Sequence, residues 1–138
     1  MDKVENLAEL GRRLKASDEL KEKIVSAEKK NPWFVQQFAK IAVESIINEM
    51  LDRNKLTQWL MSYDLKQVNK TIGLIFAGNI PLVGFHDFLC CYVAGCKIKI
   101  KLSSKDDELF FSFLKLLREI DSAIDVEIID TLKNFDAV

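Results

Sequence analysis

Apolar residues in the first half of the chain recur at the spacing of an amphipathic helix. Over residues 2–64 they return every three or four positions, and glycine is almost absent. Ser17, followed by two acidic residues, predicts the N-cap of a second helix that ends near Lys30. Asn31 followed by Pro32 predicts the N-cap and first turn of a third helix. A fourth, shorter helix is predicted through Leu56, Trp59, Leu60 and Tyr63.

Near Lys70 the pattern changes to short apolar runs separated by helical segments. TIGLIFAG is a continuous apolar run that ends in glycine, which is typical of a buried parallel strand. NIPLVGFHDFLCCYVAG predicts a turn and a helix of about 13 residues closed by Gly95. KIKIKL alternates as a half-buried strand does, and AIDVEIID predicts a third strand. Between these two strands, Ser104 with Asp107 predicts a capping-box variant that opens another helix.

The order β-α-β-α-β over residues 70–130 predicts a parallel sheet with right-handed crossovers. The fold class is therefore α/β, with a helical N-terminal leader followed by a partial Rossmann-type sheet. We expect residues 1–69 to pack as a helical segment on a partial dinucleotide-binding domain formed by residues 70–138. A complete doubly wound sheet has about five or six strands. Because this pattern supplies only about three strands, we expect the domain to be truncated.

Composition limits the class of protein further. The chain has 138 residues, of which 49% are hydrophobic and 30% charged, so it can bury one ordinary core. We expect the cluster of Phe110, Phe111 and Phe113 to anchor that core or an interface. A formal net charge of -1 gives no basic field for binding nucleic acid. No apolar run reaches the roughly 20 residues of a membrane span, so we expect a cytoplasmic protein.

The three cysteines and the single histidine are the chain's candidate nucleophiles and metal ligands. Cys90, Cys91 and Cys96 fit no disulfide framework, suit a reducing compartment, and are predicted to serve packing. One histidine gives too few ligands for a Cys/His zinc site, so we predict no metal. His86 and Asp87 could form a general base and its orienting acid, but adjacent helix positions do not face each other. The residues therefore disfavour a catalytic role for this pair.

Ligands of parallel α/β sheets bind at the carboxyl ends of the strands, here residues 77–81, residues 101–105 and the segment after Asp130. Neither phosphate-loop motif, G-x-G-x-x-G or Gly-Lys-Ser/Thr, is present. Asn79 offers a side-chain amide that could stabilise an oxyanion. It could instead cap the helix that begins near Pro81, and the residues alone favour the cap.

The end of the second strand carries cations and hydroxyls where many dinucleotide folds place an acid on the ribose. Such groups would suit a 2′-phosphate. Lys97 and Lys99 are predicted to form the solvated face of an edge strand, whereas Lys101 fits either role. The groups at this strand end are Lys101, Ser103, Ser104 and Lys105.

AGNIPLVGFHDFLCCYVAGCKIKIKLSSKD resembles the aldehyde dehydrogenase superfamily signature, and looks most like its acyl-CoA reductase branch, the LuxC-type reductases. The likeness covers about residues 71–138. An Asn-x-Pro turn, an Ala-Gly before the second strand and a Lys-x-Ser at that strand's end occur at the family's spacing. The matching residues are Asn79-Ile80-Pro81, Ala94-Gly95 and Lys101-Leu102-Ser103.

The resemblance implies a role for each site residue. Asn79 would help to hold the oxyanion of the thioester, and Lys101 with Ser103 would contact the adenosine ribose or its phosphate. Ser104 stands where many NAD-linked relatives have a ribose-binding glutamate, which fits NADPH and still allows NADH. None of the three cysteines occupies the family's nucleophile position, so we expect no turnover from these residues alone.

Two functions from different classes follow from these patterns. In the first, the chain is the N-terminal portion of an NADPH-dependent acyl-CoA reductase that forms an aldehyde, contributing part of the cofactor cleft and an oxyanion donor. In the second, it is a free-standing nucleotide-binding or protein-interaction module without catalysis. An exposed sheet edge would allow homo-oligomers in either case.

Overall fold

A computed structural model of the chain describes residues 2–30, 36–66, 68–77, 82–103, 108–131 and 133–138. Four helical segments precede a β-α-β-α-β unit, which confirms the α/β class. The helices are α1 (Lys3–Ala16), α2 (Asp18–Lys30), α3 (Gln36–Ser45), continued by a π-helical turn (Ile46–Met50), α4 (Arg53–Leu60), α5 (Phe85–Ala94) and α6 (Glu108–Ile120). The strands are β1 (Thr71–Ile75), β2 (Lys97–Lys101) and β3 (Val126–Ile128).

Side-chain caps explain several of the helix boundaries. The Oγ of Ser17 accepts a hydrogen bond of 3.1 Å from the backbone N–H of Leu20, which confirms the predicted N-cap of α2. The predicted start of the third helix at Asn31 and Pro32 lies outside the described residues. Tyr63, predicted to belong to the fourth helix, lies beyond the end of α4.

The apolar stripe of the third helix does not continue as a regular α-helix to Met50. Residues 46–50 form a π-helical turn, in which the N–H of Leu51 donates to the carbonyl of Ile46 at 3.0 Å. Leu51 is buried, and its Cβ lies 3.1 Å from the position that a Cβ on Gly11 would take. The π-helical turn, which holds one residue more than an α-helical turn, therefore directly precedes the point where Leu51 packs closely against α1.

The strands form one parallel sheet in the order β1-β2-β3. Ile75 lies opposite Lys101 in the first pair, and Ile98 lies opposite Val126 in the second. The predicted parallel sheet is therefore confirmed, and KIKIKL forms its central strand. The expectation of an edge strand at this position was wrong, because β3 covers the side of β2 that faces away from β1.

The alternation in β2 reflects two different sheet faces. Ile98 and Ile100 are buried against the helices, whereas Lys97 and Lys101 are exposed on the opposite face and Lys99 is half-buried there. We refer to the face that carries these three lysines as the lysine face. The predicted solvated face thus exists on a central strand, because α5 and α6 cover only the other side of the sheet.

The C-terminal residues add a fourth parallel position beside β1. Ala137 bridges Ile72, and the N–H of Gly73 donates to the carbonyl of Ala137 at 2.7 Å. The chain reaches this side by crossing the lysine face, where the Nζ of Lys99 donates to the carbonyl of Lys133 at 2.9 Å. The spatial order is therefore C-terminal segment, β1, β2, β3.

Aromatic rings from α5 and α6 fill the space above the apolar face of the sheet. Phe88 contacts Phe110 edge to face at a centroid distance of 5.3 Å, and Phe110 contacts Phe76 at 4.9 Å. Phe110 and Phe113 are buried, which confirms them as core anchors, whereas Phe111 is 44% exposed. These contacts place both crossover helices on one face of the sheet.

Candidate functional site

The carboxyl ends of the three strands lie at one edge of the sheet. The N–H of Phe76 donates to the carbonyl of Lys101 at 3.0 Å, and the N–H of Ile129 donates to the carbonyl of Ile100 at 2.8 Å. These bonds continue the ladder one residue beyond β1 and β3. The three strands therefore end side by side at this edge, as predicted, and Ala77 is the last residue described directly after β1.

Lys101 is an exposed cation at this edge. It lies in register with Ile75, which is 63% exposed on the same lysine face. Ser103 follows two residues later and is half-buried. The structure thus keeps Lys101 and Ser103 at the predicted strand end. Asn79 and Ser104, the other two predicted site residues, lie outside the described residues.

The direction of strand addition reverses beside β1. From β1 the chain adds β2 and then β3 on one side, and the segment at Ala137 returns to the other side. Successive connections lie on opposite faces, with α5 and α6 on one and the link through Lys133 on the other. In open α/β sheets, such a reversal forms a crevice at the carboxyl ends, where ligands bind. The end of β1 at Phe76 and Ala77 adjoins this position.

The cysteine thiols are not activated as nucleophiles. Burial raises the pKa of Cys90, and the nearby Asp87 carboxylate raises it further. Burial also raises the pKa of Cys91 to about 11, and it raises the pKa of Cys96. His86 lies with Nδ1 3.9 Å from the Sγ of Cys90 on the same face of α5. This pair therefore holds a protonated thiol at neutral pH and offers no thiolate for acyl transfer.

Two clefts away from the strand ends were not predicted. One of about 400 Å³ lies between α1 and the start of α4 and has a polar lining. Another of about 180 Å³ lies between the π-helical turn, α4 and α5, where the rings of Trp59 and His86 lie 6.2 Å apart. Sequence spacing could not identify either cleft, because each is formed by elements that are distant along the chain.

A buried polar cluster at the other edge of the sheet was also missed. Asn6 is 1% exposed, and its Nδ2 donates to the hydroxyl of Tyr92 at 3.0 Å. That hydroxyl donates to the Oδ2 of Asp121 at 2.8 Å. The available signal was a polar residue, Asn6, one position before Leu7 in the apolar stripe of the first helix.

Within the described ranges, no group of three or more His, Cys, Asp or Glu side chains is arranged to hold a metal ion. Among the helices that the structure describes, none is long and apolar enough to cross a membrane.

The chain is a parallel α/β protein whose sheet extends to both sides of β1: β2 and β3 lie on one side, and the segment at Ala137 lies on the other. Neither a family model, nor a curated protein, nor a solved structure matches the chain.

Proposed function

We propose that the chain binds a nicotinamide dinucleotide, NADPH in preference to NADH, at the carboxyl edge of its sheet beside β1. The observation that carries this proposal is the reversal of strand order between β1 and the segment at Ala137. Because parallel sheets bind nucleotides at such a reversal, the crevice at the end of β1 is the expected ligand position.

The groups at this edge suit a phosphorylated ribose. Lys101 is exposed at the end of β2, the strand whose terminus contacts the adenosine ribose in dinucleotide folds. Its ammonium group can form a charge-assisted hydrogen bond with a 2′-phosphate, and the nearby Ser103 adds a hydroxyl. No acidic residue occupies residues 101–105, so a phosphate there would meet no like charge. The donor set therefore fits NADPH.

Within this proposal, the reaction is the reduction of a fatty acyl-CoA to an aldehyde, and the chain is the N-terminal portion of the reductase. This step rests on the resemblance carried by Asn79-Ile80-Pro81, Ala94-Gly95 and Lys101-Leu102-Ser103. NADPH would supply the hydride, and the side-chain amide of Asn79 would donate to the thioester oxyanion. The three cysteines have raised pKa values, so the chain itself would contribute cofactor binding and positioning.

Calorimetric titration of the chain with NADPH and NADH tests the cofactor site. We expect NADPH to bind more tightly, and Lys101→Ala to weaken NADPH at least about tenfold, or about 1.4 kcal/mol, with little effect on NADH. Lys97→Ala is the matched control, because Lys97 lies on the same face of the same strand at its amino end. Equal losses in the two variants, or no binding of either nucleotide, would contradict the proposal.

The acyl-CoA step requires a separate measurement on the protein in its full natural length. With NADPH and a long-chain acyl-CoA, we expect NADPH absorbance to fall only when the acyl-CoA is present. If NADPH binds but no acyl-dependent oxidation occurs, the reductase assignment fails and a nucleotide-binding module remains.

An interaction module is the second candidate, and the side chain of Ile75, exposed on the lysine face at the end of β1, favours it. In that case the chain would self-associate through this face of the sheet. Analytical ultracentrifugation over a wide concentration range distinguishes the two candidates when combined with the titration. A concentration-independent monomer would exclude self-association.

A further inference from the structure

Helix α5 ends in a Schellman motif that folds the chain back on the last helical turn. Gly95 has a φ of 79°, which a glycine adopts without the strain of a side chain. Its N–H donates to the carbonyl of Tyr92, and the N–H of Cys96 donates to the carbonyl of Cys91, each at 3.1 Å. These two hydrogen bonds bring residues 91 and 96 together. Side chains at these two positions commonly touch in a Schellman motif.

The two side chains at these positions are both thiols. Cys91 and Cys96 are free and half-buried, and each thiol is close enough to the other to influence its pKa. The backbone hydrogen bond between the residues keeps their Cα atoms no more than about 7 Å apart, against a usual disulfide range of about 4.4–6.8 Å.

Cys96 is the more accessible member of this thiol pair. It lines a cleft of about 220 Å³ together with Lys3, Asn69 and Lys97. Burial raises the pKa of Cys96, but the hydrogen bond from Cys91 and the Lys3 ammonium act in the opposite direction. For Cys91, burial and the neighbouring sulfurs all raise the pKa. A reagent that enters the cleft thus meets Cys96 first.

We propose that Cys96 and Cys91 form an oxidisable thiol pair that closes to an intramolecular disulfide on reaction with a hydroperoxide. Cys96 loses its proton and attacks one peroxide oxygen, the O–O bond breaks, and the leaving oxygen takes up that proton to give water or an alcohol. Cys96 is then a sulfenic acid. The Cys91 sulfur attacks it, the S–O bond breaks, and the departing hydroxide takes the Cys91 proton to form water. Two thiols are oxidised by one peroxide.

Closure would covalently join the last turn of α5 to the residue that precedes β2. Cys90 is excluded as a partner, because it lies on the face of α5 that carries His86, with 3.9 Å between Sγ and Nδ1. The pair lies at the amino edge of the sheet, away from Lys101, so this inference does not depend on nucleotide binding.

The test is peptide mass spectrometry of the native chain after brief treatment with hydrogen peroxide at protein concentrations that disfavour contacts between chains. We expect loss of two hydrogen atoms and a bond between Cys91 and Cys96, reversed by a thiol reductant. Cys90→Ser is the matched control and should close to the same extent. In Cys91→Ser, closure should be lost and a sulfenic acid on Cys96 should react with dimedone.

Cys96→Ser should show at least about a tenfold slower formation of sulfenic acid than Cys91→Ser, because the accessible thiol is gone. Circular dichroism confirms that each variant is folded before it is oxidised. A disulfide through Cys90, closure between chains only, or stable thiols in the native wild-type chain would each overturn the proposal.

Discussion

The hydroxyl of Tyr92 donates a hydrogen bond of 2.8 Å to the Oδ2 of Asp121 and thereby joins α5 to the end of α6. Asn6 of α1 donates to the same hydroxyl at 3.0 Å, and the Lys3 ammonium lies 4.3 Å from the centroid of the Tyr92 ring. Three helices therefore meet through one buried hydroxyl. Such a group contributes most when all its partners are present, because an unpaired buried polar atom is costly.

Replacing Tyr92 with Phe should destabilise the protein by about 1–3 kcal/mol. The ring and its packing remain, but Asn6 and Asp121 each lose the hydroxyl as a partner. Urea unfolding measures the change. Tyr63→Phe is the control, because Tyr63 is 58% exposed, and its free energy of unfolding should change by less than about 0.5 kcal/mol. Equal effects in both variants would show that the buried hydroxyl contributes nothing specific.

The same hydroxyl predicts a loss of stability at alkaline pH. Burial, the largest cause, raises the pKa of Tyr92 above its ordinary value of 10; the hydrogen bond from Asn6 lowers it by a smaller amount, and Asp121 raises it. Because the unfolded state releases this proton first, the contribution is complete below pH 10 and falls as the pH rises above it. Unfolding at several pH values should show this slope in the wild type and a shallower one in Tyr92→Phe.

Local patterns predicted the elements that depend on local chemistry. The period of 2 in KIKIKL indicated β2, and Ser17 marked the start of α2. The pairing of Ala137 with Ile72 could not be predicted in this way, because it joins residues that are far apart through only a few backbone bonds. The π-helical turn before Leu51 could not be predicted either, because the apolar positions within residues 46–50 also fit the spacing of a regular α-helix.

Only the part of the candidate site that lies at a strand end was predicted from the sequence. Lys101 was placed at the end of a strand from alternation alone, and the structure confirms that position. Its place on the central strand was missed, because the lysines of β2 resemble those that protect an exposed edge. Whether a strand is central depends on which other strands pair with it. The periodicity of a single segment gives no information about those partners.

A methyl group at position 84 should be poorly tolerated. A Cβ on Gly84 would lie 2.7 Å from the Cγ of Phe76 and closer still to two other carbons of that ring. Phe76 is buried against Phe110, so the ring has no free direction in which to move. We expect Gly84→Ala to cost about 1–3 kcal/mol in thermal or urea unfolding.

Two further variants show whether this cost comes from the contact with Phe76. Gly11→Ala introduces a Cβ at 3.1 Å from that of Leu51 within a helix, where the gain in helix propensity offsets the tight contact. Its stability should stay within about 1 kcal/mol of the wild type. Combining Gly84→Ala with Phe76→Leu should cost less than the sum of the two single changes. Strict additivity would refute the steric explanation.

The outer edge of β3 is covered by an arginine. The Nη2 of Arg118 donates to the carbonyl of Val126 at 2.7 Å, which occupies a backbone acceptor that another strand could use. Arg118→Met should therefore lower the free energy of unfolding by about 1 kcal/mol and increase self-association at high concentration. Lys115→Met is the control on the same helix, because its exposed pair with Glu19 at 3.4 Å contributes less than about 0.5 kcal/mol. Urea unfolding and light scattering measure the two effects. If both variants associate equally, loss of surface charge is the cause; if Arg118→Met alone associates, the guanidinium protects the edge of the sheet.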